Sequence, residues 1–237
     1  MRFSREGLPV NRWASLISDA VELGVTRLHC SSEYESYPLL LDVLEQLRSS
    51  HLATHLSFVV KLAEPSFNLH QFSPQRFYEH IDTYRTVLGV DRLETVQWMW
   101  RDDLQDHAGR ASRFVEHAAE IQRTVQAAKA SGAIGSFVCF PYSPGFASSA
   151  LEFDFIDGLA IYRSPIEAEY DSLIETCERL GKQILVIRPF SAGSAFTSGD
   201  AASLIRYSSE LTSVTGIVVS CSSINHLREC VQAASQP

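Results

Sequence analysis

The sequence predicts a parallel α/β barrel of the (β/α)8 TIM type with its first strand truncated or missing, as a single domain over residues 1–237. Three observations predict it. Seven short apolar runs alternate with longer amphipathic ones along the whole chain. The apolar runs mostly lack period-two alternation, as strands covered on both faces do. No linker, low-complexity tract or change of composition divides the chain.

The strand-like runs are Val25–Cys30, Leu56–Leu62, Glu94–Trp100, Ile134–Phe140, Gly158–Tyr162, Ile184–Arg188 and Gly216–Cys221. Seven is one short of a closed eight-stranded barrel. A doubly wound sheet is the competing topology, but no GxGxxG turn follows any run, so its dinucleotide-binding version lacks its fingerprint. Punctuation marks the helices. Asn11 reads as an N-cap, with Trp13, Leu16, Ile17, Ala20 and Val21 on one face and Gly24 as the stop. Ser73-Pro74 opens a second helix, with Phe77, Ile81, Tyr84 and Leu88 inward and Gly89 after. A third runs from about Ala111 to Ser131. Ser164-Pro165-Ile166-Glu167 reads as a capping box with Pro at N1, opening a helix that ends at Gly181. The last helix begins at Ser223 and places Leu227, Cys230, Val231 and Ala234 inward.

Composition narrows the function classes. Hydrophobic residues make up 45% of the chain, enough for a sizeable core. The formal net charge is -8, which argues against nucleic-acid and anionic-membrane partners, both of which need basic patches. A small ligand could still find a local basic pocket. The five cysteines (Cys30, Cys139, Cys177, Cys221 and Cys230) form no CxxC pair and read as free thiols in a reducing compartment. Residues Met1–Val10 carry two Arg and no apolar segment, and no run reaches the roughly 20 apolar residues a membrane helix needs. The expectation is a cytoplasmic protein. No HExxH motif, GxSxG elbow or Walker A sequence occurs, and no metal site is expected.

Gly24-Val25-Thr26-Arg27-Leu28-His29-Cys30-Ser31-Ser32-Glu33-Tyr34 resembles the second-strand segment of the aldo-keto reductases, Gly-(Val/Ile)-Asn-x-(Phe/Ile)-Asp-Thr-Ala-x-x-Tyr-Gly. Four further segments resemble the same family in the same order. They are Phe58-Val59-Val60-Lys61, Leu88–Gln97, Ala130–Ile134 and Ile187-Arg188-Pro189-Phe190-Ser191-Ala192-Gly193. Met1-Arg2-Phe3 resembles the tail of the family's first strand, which accounts for the missing eighth strand.

The resemblance implies a catalytic tetrad in which a Tyr donates a proton, a Lys lowers its pKa, an Asp pairs with that Lys, and a His assists. Carried over, the Tyr is Tyr34 and the Lys is Lys61, while the Asp position holds His29 and the His position holds Met99. The three site residues Tyr34, Lys61 and His29 are expected at the C-terminal mouth of the barrel, Tyr34 facing Lys61. Without the Asp, Lys61 is expected to titrate lower than it otherwise would. Plainer alternatives stand beside these. Tyr34 also reads as a rim tyrosine with its hydroxyl in water, His29 as a hydrogen-bonded core histidine, and Met99 as packing between two tryptophans. Glu33, Glu35 and Glu64 read as solvated charges, or as acid/base groups or a cation site.

The resemblance also implies NADP(H), bound weakly. The family's nicotinamide-binding Ser-Asn and Gln positions read Phe140-Pro141 and Leu159, and its stacking aromatic reads Ile187. Its 2′-phosphate clamp aligns with Ser220-Cys221 and His226. Arg188, Ser191, Ser222 and Ser223 are the remaining candidates for cofactor contacts. Two function classes stay open. One is an NADP(H)-dependent reductase of a small-molecule carbonyl with a partly replaced tetrad. The other is a fold member without redox activity, either a ligand- or partner-binding pseudoenzyme or a non-redox acid/base enzyme.

Overall fold

A computed structural model describes residues 1–3, 8–48 and 50–235. Seven strands, β1 (Arg27–Cys30), β2 (Ser57–Ala63), β3 (Leu93–Met99), β4 (Ile134–Cys139), β5 (Gly158–Tyr162), β6 (Gln183–Ile187) and β7 (Val214–Val218), pair in chain order. Every pairing is parallel. The helices are α1 (Val10–Glu22), α2 (Tyr37–Leu47), α3 (Pro74–Leu88), α4 (His107–Ala130), α5 (Pro144–Leu151), α6 (Ile174–Arg179), α7 (Ala201–Ser209) and α8 (Ile224–Ala234). Strand and helix alternate into a nearly closed barrel.

The gap between β7 and β1 is occupied by Met1–Phe3. The Met1 carbonyl accepts from the His29 amide at 2.7 Å, and the Arg2 amide donates to the Val219 carbonyl at 2.9 Å. Arg2 and Ser220 form a single parallel bridge. The position of the first strand is therefore occupied by this segment rather than empty. Its end is anchored by Phe3, whose ring stacks on Trp13 of α1 with centroids 4.4 Å apart.

Each strand sends alternate side chains to two separate cores. On β2, Phe58, Val60 and Leu62 pack outward under the helices, whereas Val59 joins Met99, Val138, Phe140, Ala160 and Leu185 inside the barrel. Burial on both faces explains the continuous apolar runs. On β5 the same alternation turns Leu159 outward and Ala160 inward.

The helix signals hold where the cap residue has no better partner. Ser73 accepts from the Arg76 amide, and Gly89 closes α3 at φ 70°, a left-handed conformation suited to glycine. The Ser164 capping box does not hold. Residues Ser164–Glu167 form a tight turn joined by backbone hydrogen bonds at 3.0 and 3.1 Å, and α6 starts at Ile174. The Ser164 hydroxyl is engaged by Ser191, and the Glu167 carboxylate accepts from Ser191, so neither reaches back to cap a helix. Asn11 lies inside α1, whose cap position is Pro9.

Glu64 is not a solvated charge. It is 1% exposed, accepts from Arg76 Nε and Nη2 at 2.8–3.2 Å and from the Ser73 amide at 2.9 Å, and ties the end of β2 to α3. All five cysteines are buried free thiols. Among the described residues, no helix is long and apolar enough to cross a membrane.

Candidate active site at the barrel mouth

The C-terminal ends of the strands surround a cavity of about 750 Å³. That volume lies within the range of small-molecule sites. His29 ends the inward face of β1, Lys61 that of β2, and Tyr34 follows in the loop after β1; all three line the cavity. The Lys61 ammonium lies 5.4 Å from the centre of the Tyr34 ring, and the His29 and Tyr34 rings are 5.9 Å apart. Strand register thus converges residues 32 positions apart or less onto one wall.

Their electrostatics differ from a simple Tyr–Lys pair. Lys61 Nζ donates to Glu33 Oε2 at 3.2 Å. Arg101, 6% exposed, donates to both Glu33 oxygens at 2.6 Å. Glu33 therefore supplies the counter-charge that the Asp position, held by His29, does not. Burial pulls the Lys61 pKa down and Glu33 opposes that fall. Burial likewise raises Tyr34 to about 12, while the Arg2 guanidinium, 4.1 Å from its ring centre, acts in the opposite sense.

His29 is 6% exposed and its Nε2 lies 2.8 Å from Gln97 Oε1, which can only accept. The Nε2–H tautomer follows, leaving a buried Nδ1 without a partner. Burial lowers the His29 pKa from 6.5 to about 4; Gln97 opposes this and the charges on Arg2 and Lys61 add to it. In unfolded chain the imidazole titrates near 6.5, so between those values only the unfolded state takes up the proton. The stability involved is fully present above pH 6.5 and is lost as pH falls toward 4, by up to about 3 kcal/mol. Urea unfolding at pH 7 and pH 4.5 should show that loss in the wild type and a smaller one in His29→Asn. Equal losses in both would refute it.

Met99 belongs to the inner core and accepts from the Tyr142 hydroxyl at 3.3 Å, so this position packs and positions rather than titrates. Arg110, fully buried, donates to the carbonyls of Trp100 and Pro141 and fixes the rim after β3 and β4.

Of the four predicted cofactor contacts, Arg188 lines the cavity, whereas Ser191, Ser222 and Ser223 do not. Arg188 lines the cavity with its guanidinium 4.7 Å from the Tyr162 ring centre and 3.5 Å from Glu167. Ser191 is 4% exposed and its hydroxyl donates to Glu167 at 2.6 Å, so it staples the loops after β5 and β6. Ser222 and Ser223 lie at the start of α8, where Ser223 accepts from the Asn225 amide. Phe140 and Ile187 face the cavity, whereas Leu159 faces the helices and is outside it. Among the described residues, no group of three or more His, Cys, Asp or Glu could hold a metal ion.

No protein-family profile and no curated protein matches the chain. Solved structures do. The holo form of an aldo-keto reductase from Bacillus halodurans superimposes with a TM-score of 0.75 at 14% identity, covering 98% of this chain and 84% of that one. An aldo-keto reductase from Klebsiella pneumoniae in complex with NADPH gives 0.72 at 15% identity, covering 99% and 83%. A Pseudomonas aeruginosa protein provisionally described as an aldo-keto reductase gives 0.74 at 19% identity, covering 96% and 83%. The chain has the fold of the aldo-keto reductases, as its sequence motifs imply.

Proposed function

We propose that the barrel mouth binds NADP(H) and reduces a small carbonyl compound, with Tyr34 as the proton donor. The observation that carries this is the meeting of Tyr34, Lys61 and His29 on one cavity at the C-terminal ends of the strands. That face is where this architecture places its chemistry. The NADPH held by the Klebsiella neighbour supports the same cofactor here.

The residues present fit the cofactor at one end. Arg188, on the cavity wall, offers a cation to its phosphates, and Ser222 and Ser223, outside that wall at the start of α8, are further candidate donors. At the carboxamide end, Phe140 and Pro141 have no side-chain donor or acceptor, Leu159 points away, and Ile187 offers no ring to stack. Bound NADPH would supply the hydride. The chain's own task is to orient the carbonyl and give its oxygen a proton from the Tyr34 hydroxyl. Burial holds this phenol near 12, where it gives up its proton slowly. Slow turnover is the natural outcome.

NADPH is expected to bind with a dissociation constant above the micromolar range. Three absent side-chain hydrogen bonds, each about 0.5–1.5 kcal/mol, weaken binding by about one to three decades. A fluorescence titration tests this, and submicromolar affinity would show that other residues compensate. The apolar carboxamide end also favours a second reading, a ligand-binding fold member without hydride transfer. Single-turnover NADPH oxidation against a panel of aromatic and aliphatic aldehydes separates the two: absence of oxidation with ligand binding retained would select the second.

A further inference from the structure

The chain carries a net charge of -8, yet the residues lining the mouth cavity include Arg2, Lys61 and Arg188 and no Asp or Glu. Two of the cations are partly neutralised from outside the cavity. Lys61 shares Glu33 with Arg101, and Arg188 lies near Glu167. Arg2 is different. Among the described residues no carboxylate pairs with its guanidinium, and its buried Nε has no hydrogen-bond partner. Its guanidinium carbon lies over the Tyr34 ring, 4.1 Å from the ring centre, beside the proposed proton donor.

A buried guanidinium nitrogen without an acceptor is costly, and a guanidinium fork matches a carboxylate with two parallel hydrogen bonds. The opposite wall is aromatic: Phe140 and Tyr162 have centroids 5.2 Å apart, and Phe140 and Tyr142 4.5 Å apart. We infer that Arg2 binds the carboxylate of the substrate, and that the substrate class is a carboxylate-bearing carbonyl compound with a planar, apolar body. The assignment of a substrate rests on the carbonyl-reduction reading; the carboxylate site itself does not. Arg2 beside Tyr34 places the anionic group near the reacting oxygen, whereas Arg188 and the start of α8 serve the cofactor's phosphates.

The test uses the full chain without cofactor, with benzoate as probe and benzamide as its neutral analogue, followed by calorimetry. Benzoate should bind at least tenfold more tightly than benzamide. Arg2→Gln should weaken benzoate at least tenfold and leave benzamide unchanged, and Arg2→Lys should fall between because it keeps charge without the fork. Arg2→Lys also covers the case in which Arg2→Gln does not fold. Equal binding of benzoate and benzamide, or benzoate binding insensitive to either variant, would overturn the inference. Displacement of benzoate by adenosine 2′,5′-bisphosphate would also overturn it, by assigning the cations to the cofactor. With NADPH present, 4-carboxybenzaldehyde should exceed benzaldehyde in kcat/KM at least tenfold, and Arg2→Gln should erase the difference. If neither aldehyde is reduced while the binding arm holds, the carbonyl-reduction reading fails and the carboxylate site stands.

Discussion

Tyr34→Phe should lower carbonyl-dependent NADPH oxidation by about 10²–10⁴-fold, the range removed with a positioned proton donor. The substitution deletes one hydroxyl and keeps the ring that lies between the Arg2 and Lys61 cations, so fold and ligand binding should persist. The loss belongs in kcat, with KM little changed, because the proton is transferred only as the carbonyl reacts. Stopped-flow NADPH absorbance with excess aldehyde reads it directly. Activity retained within threefold would remove Tyr34 from the chemistry and send the search for a donor elsewhere in the mouth.

Trp98→Ala should cost about 3–5 kcal/mol of folding stability, a large share of the roughly 5–15 kcal/mol that a domain possesses. Trp98 is fully buried on the outer face of β3, against Phe137 at 5.3 Å, Phe114 at 5.7 Å and Trp100 at 6.2 Å. Its indole N–H donates to the Glu64 carbonyl at 2.7 Å, so truncation also orphans a buried acceptor in the segment that leads to α3. Urea unfolding should show a lower midpoint with an unchanged slope. Val115→Ala, on the exposed face of α4, should shift stability by less than about 0.5 kcal/mol. A Trp98→Ala loss below about 1 kcal/mol would mean the β3–α4 layer is not the main packing unit.

The strands were legible because each is buried on both faces and so is written as an uninterrupted apolar run; Gly158–Tyr162 matches β5 to the residue. α3 was legible because Ser73 and Gly89 mark both ends. α2, α5 and α7 were not. α5 has only eight residues, and α2 places Leu39, Leu40 and Leu41 in succession, which blurs its period. Ser164–Glu167 shows the limit of local pattern: a motif suited to a cap was taken by a partner, Ser191, 27 residues away.

The site was legible as far as chain order allows. Tyr34, Lys61 and His29 came from the family resemblance, and the structure places them on one cavity wall, His29 and Lys61 on β1 and β2 and Tyr34 in the loop after β1. The role of Glu33 does not, because its partner Arg101 lies 68 residues away and no spacing rule connects them. Met1–Phe3 read as the end of a truncated strand; nothing in three residues reveals that Arg2 reaches over Tyr34. Leu159 stood aligned with a cofactor contact, and only the in-and-out alternation of β5 shows that it faces the helices.

The short segment that completes the barrel wall also carries the cation that faces the ligand. Among the described residues its hold on the wall is three inter-strand hydrogen bonds, from Met1 to Arg27, from His29 to Met1 and from Arg2 to Val219, and the Phe3–Trp13 stack. A carboxylate gripped by Arg2 therefore adds its binding energy to the closing of the barrel. By reciprocity, a closed seam tightens ligand binding by the factor by which the ligand favours closure. Closure and occupancy become one equilibrium, and the last few hydrogen bonds of the fold set the affinity of the mouth.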